Sequence, residues 1–201
     1  INSHKDLTNA VSHEIRTPLA RLNFGLELLK LASTQETSEQ QIAKLESDVN
    51  EIKELVDEML FYAKFDRELE LVNPDKHKIA PFISAIISTE NDCYTKGVIS
   101  FLSRERNGLE VRFDKKYMKW AVRNLVKNAM VYSEQKVHVT FELKQNTCIL
   151  HVDDDGHGIP KSEQENIFKP FTRLDSSRTR DTGGYGLGLS IVQKIAKWHG
   201  G

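Results

Sequence analysis

Three glycines, Gly184, Gly186 and Gly188, lead directly into a predicted helix in the stretch TGGYGLGLSIVQ, residues 182–193. The bare N–H groups of such a stretch and the N-terminus of the following helix make an anion site suited to phosphates. The GxGxG spacing, without GK[ST], matches neither the Walker A nor the dinucleotide-binding pattern. We therefore predict a phosphate site of another type at this loop.

A pair of asparagines lies upstream, in NLVKNAMVYS, residues 124–133. Asn124 and Asn128 are one helical turn apart, so their amides share a face and can ligate a hydrated Mg²⁺ and phosphate oxygens. Two asparagines at this spacing are common on helices, and the pair alone carries little weight.

The stretch VDDDGHGIP, residues 152–160, ends a predicted strand with acidic residues followed by Gly156 and Gly158. Glycines let a backbone pass close to a planar ligand where a Cβ atom would collide. Asp155 can accept a hydrogen bond from an exocyclic amine of such a ligand. An ordinary Asp-rich turn is the alternative for this motif taken alone.

Between these turns, the stretch IFKPFTRLDSSRTRDT, residues 167–182, is polar and basic and carries Phe168 and Phe171. This composition predicts a mobile lid that is anchored by aromatic residues. We interpret Arg173, Arg178 and Arg180 as candidate phosphate contacts, and a solvated loop is the equal alternative for any one of them.

The stretch VSHEIRTPLA, residues 11–20, places His13 five residues before Pro18 in a predicted helix. The positions one and two heptads after His13 do not coincide with the apolar register of Ile15 and Leu22, so we expect the imidazole to face outward. Pro18 cannot donate to the carbonyl of Glu14, which predicts a bend just beyond the histidine. An exposed imidazole beside a bend suggests a pivot, and a solvated surface histidine is the alternative.

Two helices must position this histidine. Intervals of three and four residues predict a long helix of coiled-coil type, with the seam Ile42, Leu45, Val49, Ile52, Val56, Met59 and Ala63. A similar rhythm upstream and the polar turn ASTQETSEQ, residues 32–40, complete a helical hairpin. The apolar residues Leu28, Leu31, Leu55 and Leu60 lie beside the seam. Pairing of two hairpins into a dimeric four-helix bundle would cover this surface, and packing against a neighbouring domain is the alternative.

Strands and helices interleave after Asn73 and Pro74, which end the helical part. This order predicts an α/β sandwich, with one sheet covered by helices on one face. The fold class is therefore α+β, with a helical hairpin in residues 1–68, a linker in 69–75 and the sandwich in 76–201. Such a sheet ordinarily has one or two further strands, so we expect its last strands to be missing from this chain.

Composition excludes several partners. The chain has 201 residues, a net charge of -1 and a pI near 6.7, which give no bulk attraction for nucleic acid or anionic membranes. No apolar run approaches the roughly 18 residues that span a bilayer, so we expect a soluble segment without membrane contact. Cys93 and Cys148 have neither CxxC spacing nor a histidine at metal-ligand spacing, which predicts small core residues in a reducing compartment.

The stretch SHEIRTPL resembles the phosphoacceptor box of sensor histidine kinases of bacterial two-component systems, of the OmpR-partner class. The asparagine, DGHG and glycine stretches resemble the ATP-binding half of the same family, a domain of the GHKL (Bergerat) type. The resemblance spans nearly the whole chain. It implies that His13 is phosphorylated on a ring nitrogen, that Glu14 is its general base, and that Thr17 positions water for dephosphorylation of the partner protein.

The same resemblance implies ATP and Mg²⁺ as cofactors. It makes Asn128 the Mg²⁺ ligand, Tyr132 a wall against the adenine and Asp155 the reader of the adenine amine. The residues that it implies for nucleotide binding are Asn124, Asn128, Tyr132, Asp155, Gly156, Gly158, Arg173, Arg178, Gly184, Gly186, Leu187 and Gly188. One departure concerns Val131, where many relatives carry Lys or Arg, so a phosphate-neutralising cation is missing unless Lys127 or a lid arginine substitutes.

The implied function is ATP-dependent autophosphorylation of His13 and phosphotransfer to an aspartate of a response regulator, with phosphatase activity toward that regulator. The implied partners are the response regulator and a second copy of the chain, without nucleic acid. The implied location is the cytoplasmic segment of an inner-membrane sensor protein. Two alternatives stay open: a catalytically weak dimeric scaffold that docks a partner, which Val131 alone favours, and a gyrase-like ATPase, which leaves SHEIRTPL unexplained.

Overall fold

The computed structural model describes residues 2–31, 34–65, 72–105, 108–172, 174 and 185–201, and the side chains of residues 2–14 and 63–65 lie outside this description. The chain divides into two compact units, Ile1–Asp66 and Arg67–Gly201. The first unit is a helical hairpin, and the second contains both helices and strands. The predicted α+β class is confirmed.

Helices and strands interleave in the second unit, as predicted. The elements of both units are α1 (Asn2–Leu31), α2 (Gln35–Phe65), β1 (Asp75–Lys78), α3 (Ile79–Asn91), β2 (Val98–Ser103), β3 (Glu110–Phe113), α4 (Lys115–Tyr132), β4 (Lys136–Lys144), β5 (Thr147–Asp154), a short 3-10 turn (Asn166–Phe168) and α5 (Gly188–Trp198). Strand β1 has no sequence signal, because its residues DKHK are all polar and carry no apolar alternation that would predict a strand.

The turn between α1 and α2 is shorter than the predicted stretch of residues 32–40, because α2 already begins at Gln35. Thr34 explains this start, since its hydroxyl oxygen accepts a hydrogen bond from the backbone N–H of Thr37 at 3.3 Å, an N-cap interaction. Helix α1 runs through Pro18 without interruption, and the proline ring is fully buried.

One row of side chains on α2 faces α1 in the hairpin. The Arg21 guanidinium of α1 donates to Asp48 at 2.7 Å, and a Cβ atom on Gly25 would lie 2.8 Å from the Leu45 side chain. Leu55 stands one heptad after Asp48 and is fully buried. The prediction that Leu55 adds to the exposed apolar surface is therefore wrong, because its row of α2 is the one that turns toward α1.

A mixed sheet forms the centre of the second unit. Its order is β2-β4-β5, with β2 parallel to β4 and β5 antiparallel to it, while β1 and β3 form a separate antiparallel pair. Alternate residues of β4, Val137, Val139 and Phe141, join the helical core residues Val122 and Val126. The predicted sheet with helices on one face is confirmed.

Both cysteines differ from the prediction of core positions, which is wrong because Cys93 and Cys148 are exposed. Cys148 lies opposite Leu143, near the turn that joins β4 to β5. Within the described ranges, no helix has an apolar stretch of the length that a bilayer crossing requires.

Candidate functional site

Helix α4 carries the first part of the site and has well-defined ends. Asp114 caps its N-terminus, since Oδ1 accepts from the backbone N–H groups of Lys116 at 2.9 Å and Tyr117 at 3.2 Å. The helix ends at Tyr132, and the backbone N–H of Ser133 closes its last turn with a hydrogen bond of 2.8 Å. The side chains between these caps therefore have fixed positions along one axis.

Asn124, Asn128 and Tyr132 follow one another at intervals of four residues on α4, and all three are half-buried. This spacing aligns them on one face of the helix over a rise of about 12 Å. Such a face can hold an elongated ligand whose two ends have different chemistry.

The N-terminus of α5 lies beside Asn124. A Cβ atom on Gly188, the first residue of α5, would lie 2.7 Å from Asn124 Oδ1, so the helix can start this close only with glycine. The Asn124 amide nitrogen donates to the carbonyl of Trp120 at 2.9 Å, which fixes the orientation of the amide. The unpaired N–H groups of a helix start attract anions, and this end of the α4 face therefore suits phosphates.

Asn128 differs from Asn124 in its hydrogen bonding. Within the described residues its amide has no hydrogen-bond partner, although the side chain is half-buried. No group of three or more His, Cys, Asp or Glu side chains among these residues can hold a metal ion. An amide oxygen is a ligand type that Mg²⁺ accepts together with phosphate oxygens and water, so Asn128 fits a magnesium ion that arrives with a phosphate ligand.

Leu187, predicted as a nucleotide contact, has a fully buried side chain. Gly186 before it has a φ of 71°, in the left-handed region, and its carbonyl accepts from the N–H of Phe171 at 2.9 Å. A Cβ atom on Gly186 would lie 2.8 Å from backbone atoms of Phe171 and Thr172. Leu187 therefore anchors this loop in the interior, and its burial argues against a direct contact with the nucleotide.

The DGHG turn lies at the other end of the α4 face. A Cβ atom on Gly156 would lie 2.2 Å from the carbonyl oxygen of Tyr132, so this glycine lets the backbone of the protein itself approach. Gly158 has a φ of 72° and no atom within 4 Å of its Cβ position. The His157 ring meets the Tyr132 ring edge to face at 5.8 Å between centroids. The space left for a planar ligand is therefore at Gly158, whereas Gly156 is required by α4.

Asp155 is bound by backbone groups of the protein itself. Its Oδ1 accepts from the N–H groups of Glu134 at 2.9 Å, Gln135 at 3.1 Å and Lys136 at 3.0 Å. These hydrogen bonds, first that from Lys136, lower the pKa of the Asp155 carboxyl. The arrangement argues against the prediction that Asp155 reads an adenine amine, because Oδ1 already accepts three backbone N–H groups and Oδ2 accepts a further hydrogen bond from the N–H of Gln135 at 3.2 Å.

Asp154 is the site residue that the sequence reasoning missed. It ends β5 two residues after Val152, which packs against the core, so the strand period of two places both on the α4 side of the sheet. Its Oδ1 accepts one hydrogen bond, from the N–H of Gly156 at 2.9 Å, and its side chain is exposed. The alternation of side chains along β5 distinguishes Asp154 from its two acidic neighbours in the sequence, and the prediction could have used it.

Most of the remaining predicted site residues lie wholly or partly outside the described residues. His13 and Glu14 belong to the helical backbone of α1, and their side chains are not described. Thr17, four residues after His13, is half-buried. The predicted phosphate contacts outside the described residues are Arg173, Arg178, Arg180 and Gly184.

Val131, where the resemblance led us to expect a cation, has a lysine near its backbone. Lys96 Nζ donates to the Val131 carbonyl oxygen at 3.0 Å. The positive charge of a lysine at this place stabilises the C-terminal end of α4, where backbone carbonyls lack helical partners. Compensation of Val131 by Lys127 or by a lid arginine stays a prediction.

Two family models match the chain. The model described as "His Kinase A (phospho-acceptor) domain" matches residues 3–68. The model described as "Histidine kinase-, DNA gyrase B-, and HSP90-like ATPase" matches residues 113–201. The first match falls on the helical hairpin, and the second contains the α4 face, the DGHG turn and the start of α5.

Similar proteins agree with these two matches. The chain is 37% identical over 204 residues to the sensor protein RstB of Escherichia coli strain K12, an alignment that covers 100% of the chain and 45% of RstB. It is 32% identical over 197 residues to the sensor histidine kinase WalK of Bacillus subtilis, covering 95% of the chain and 32% of WalK. The chain thus spans less than half the length of these relatives. Among solved structures, the Acinetobacter baumannii histidine kinase AdeS superimposes with a TM-score of 0.69 at 21% identity, over 92% of this chain and 86% of that one, a likeness of fold.

Proposed function

Because this chain belongs to the sensor histidine kinases of bacterial two-component systems, we propose that it transfers the γ-phosphoryl group of ATP to His13 and then to an aspartate of a response regulator. The observation that carries the proposal is the line of Asn124, Asn128 and Tyr132 on α4, which runs from the start of α5 to the DGHG turn. One end offers amides and backbone N–H groups, and the other offers an aromatic ring and a carboxylate. This division matches the two ends of ATP.

In this proposal the adenine lies against Tyr132 and over the open space at Gly158. Its exocyclic amine donates to Asp154 rather than to Asp155, because both Asp155 oxygens already accept backbone N–H groups of the α4–β4 turn. The triphosphate then extends along α4 toward Asn124 and Gly188. The positive end of the α5 dipole and its unpaired N–H groups favour the phosphate charge there.

Asn128 would hold Mg²⁺ through its amide oxygen, and Asn124 lies one helical turn nearer to α5. When bound, Mg²⁺ neutralises phosphate charge and orients the group that is transferred. The glycine backbone and the capped helix α4 fix the nucleotide in one position, and most of the rate in phosphoryl transfer comes from such positioning.

In the chemical step, the nucleotide is held by the second unit and the acceptor His13 belongs to the first. A ring nitrogen of neutral His13 attacks the γ-phosphorus, a nitrogen–phosphorus bond forms, and the bond to the bridging oxygen breaks so that ADP leaves. Glu14 accepts a hydrogen bond from the N–H group of the other ring nitrogen and so raises the nucleophilicity of the imidazole. The phosphoryl group then passes to a carboxylate of the regulator, and Thr17 positions the water that later hydrolyses that acyl phosphate.

The hairpin is proposed to form a homodimer. Alternate seam residues of α2 point away from α1 and remain exposed, with Ile42 at 44%, Val49 at 53% and Val56 at 38%. Apolar side chains of α1 are exposed as well, among them Leu19 and Leu26. A second hairpin would bury these residues in a four-helix bundle.

The names and lengths of the relatives support a proposal for the position of the chain in its parent protein. They are named as sensors, and the chain spans less than half of their length. We propose that it is the cytoplasmic kinase segment of an inner-membrane sensor, and fractionation of the parent protein with membranes would test this.

Incubation with Mg²⁺ and γ-labelled ATP tests the proposed function. The chain should acquire an acid-labile label, which His13→Gln and Asn128→Ala should each lose. His13→Gln should still bind nucleotide, whereas Asn128→Ala should not, so the two variants separate the phosphoryl acceptor from the donor site. A label of undiminished yield in His13→Gln would refute the role of this histidine.

The scaffold alternative rests on Val131 alone and is not favoured by the two matched domains. It predicts no heat in calorimetry with Mg²⁺ and a non-hydrolysable ATP analogue. A gyrase-like ATPase predicts release of inorganic phosphate without any label on the protein.

A further inference from the structure

The Asp155 carboxylate joins two segments that are 20 residues apart in sequence. Its three backbone donors are Glu134 and Gln135, which lie between α4 and β4, and Lys136, the first residue of β4. In the reverse direction the Asp155 N–H donates to the carbonyl of Lys136 at 3.3 Å, which extends the β4–β5 pairing beyond its last ladder pair, Val137 with Asp154. Three donors on one anionic oxygen form a charge-assisted cluster that holds the α4–β4 turn against the DGHG turn.

The residues next to this cluster are those assigned to the adenine. Asp154 precedes Asp155 directly, and its carboxylate orientation depends on the N–H of Gly156, which follows directly. Gly156 in turn packs against the carbonyl of Tyr132, and a Cβ atom on Gly156 would lie 2.2 Å from that carbonyl oxygen. A movement of Asp155 would therefore change the distance between the carboxylate of Asp154 and the ring of Tyr132.

The opposite side of the α4–β4 turn is fixed independently. The buried Ser133 hydroxyl pairs with the Tyr94 hydroxyl at 2.7 Å and donates to the Met130 carbonyl at 3.2 Å. The helix end is therefore held in the core, and the DGHG turn is the segment that Asp155 attaches to it.

We propose that Asp155 is a positioning residue for nucleotide binding: it fixes Asp154 and Tyr132 at the separation that an adenine ring requires. This inference rests on the proposed function of the same site. Asp155 does not touch the nucleotide, and it acts by holding the two turns together. Its loss should therefore weaken binding of the adenine end and leave the triphosphate end at Asn124 and Asn128 in place.

The test compares three variants of the whole chain. Asp155→Ala removes the acceptor, and Asp155→Asn keeps an oxygen in the Oδ1 position. Glu105→Ala is the matched control, because Glu105 Oε1 accepts the backbone N–H of Leu143 at 2.7 Å, near the far end of β4 and about 23 Å from Lys136. The probe is a non-hydrolysable ATP analogue with Mg²⁺, measured by calorimetry below the unfolding temperature of every variant.

Asp155→Ala should bind the analogue about tenfold more weakly, the size of one lost contact. Asp155→Asn should stay within about threefold of the unchanged chain. Glu105→Ala should bind as the unchanged chain does, although it also unfolds at a lower temperature. In autophosphorylation, Asp155→Ala should raise KM for ATP while kcat at saturation is preserved, which a general loss of folded structure would not produce.

Equal affinity of Asp155→Ala and the unchanged chain would overturn the inference, as would an equal loss of affinity in Glu105→Ala. A lack of binding by the unchanged chain is a different result, since it would overturn the proposed function itself. The two failures are therefore distinguishable.

Discussion

Replacing Gly156 with alanine tests the contact that joins the DGHG turn to α4. The new Cβ atom would lie 2.2 Å from the carbonyl oxygen of Tyr132, 2.9 Å from its carbonyl carbon and 2.8 Å from Asp154 Oδ1. Because contacts of a Cβ atom below 3.0 Å are essentially absent from proteins, the turn and the helix end must separate by about 0.8 Å or more. Overpacking costs about 1–3 kcal/mol, and we expect the upper value, about 3 kcal/mol, because backbone must move on both sides.

Gly158→Ala is the matched variant in the same turn. Its Cβ atom would meet no atom within 4 Å, and only the φ of 72° opposes a side chain there. This left-handed strain costs about 1 kcal/mol. For a unit of this size, 1 kcal/mol lowers the melting temperature by about 3–5 °C, so we expect a decrease of about 9–15 °C for Gly156→Ala and about 3–5 °C for Gly158→Ala.

The assays are thermal unfolding and calorimetry with Mg²⁺ and a non-hydrolysable ATP analogue. Gly156→Ala should lose both stability and affinity. Gly158→Ala should keep most of its stability and still lose affinity about tenfold or more, because its methyl group enters the space assigned to the adenine. Gly200→Ala, with a φ of 84° and open space around its Cβ position, has similar strain away from the site and should bind normally.

Two results would refute this reasoning. Equal melting temperatures for Gly156→Ala and Gly158→Ala would show that the Tyr132 carbonyl does not oppose a Cβ atom. Unchanged affinity in Gly158→Ala would show that the adenine does not occupy the open space.

Three further predictions concern other parts of the chain. Val49→Glu places a charge on the exposed seam and should convert the dimer to a monomer in sedimentation experiments, without unfolding the hairpin; a dimer that persists would contradict the proposed interface. Asn128→Ala should weaken Mg²⁺-dependent nucleotide binding by about 100-fold. Its melting temperature should be nearly unchanged, because this amide has no partner in the described part of the chain. A loss of stability without a loss of affinity would contradict the role of Asn128 in binding Mg²⁺. Glu142 has hydrogen bonds to Lys144 and His151 that lower its pKa from 4.5 to about 2, so its ionised form stabilises the fold above pH 4.5 and this contribution is lost as the pH falls toward 2. Glu142→Gln should flatten the pH dependence of the melting temperature in that window, and an unchanged slope would refute the assignment.

Much of the fold could be predicted because local patterns and tertiary structure agree. The strand KVHVTFELK alternates with a period of two and forms β4 over the same nine residues. The polar strand β1 could not be predicted, because it is stabilised by pairing with β3, a contact that local alternation does not report. The early start of α2 depends on the Thr34 cap, one of several Ser and Thr residues that could have served.

The candidate site shows the same limit. Spacing alone placed Asn124, Asn128 and Tyr132 on one face, because helical periodicity fixes that relation. Spacing could not decide between Asp154 and Asp155, since the choice depends on which carboxylate the α4–β4 turn captures. Nor could it show that the Leu187 side chain is buried, because a leucine between glycines reads equally as part of a loop.

The location of the phosphoryl group after a single turnover with Mg²⁺ and ATP decides whether His13 is the acceptor. Peptides are mapped by mass spectrometry under alkaline conditions that preserve phosphohistidine. We predict one modified site, the His13 imidazole, with a stoichiometric release of ADP. Modification of another residue, or ADP and inorganic phosphate released without any modified peptide, would contradict the account.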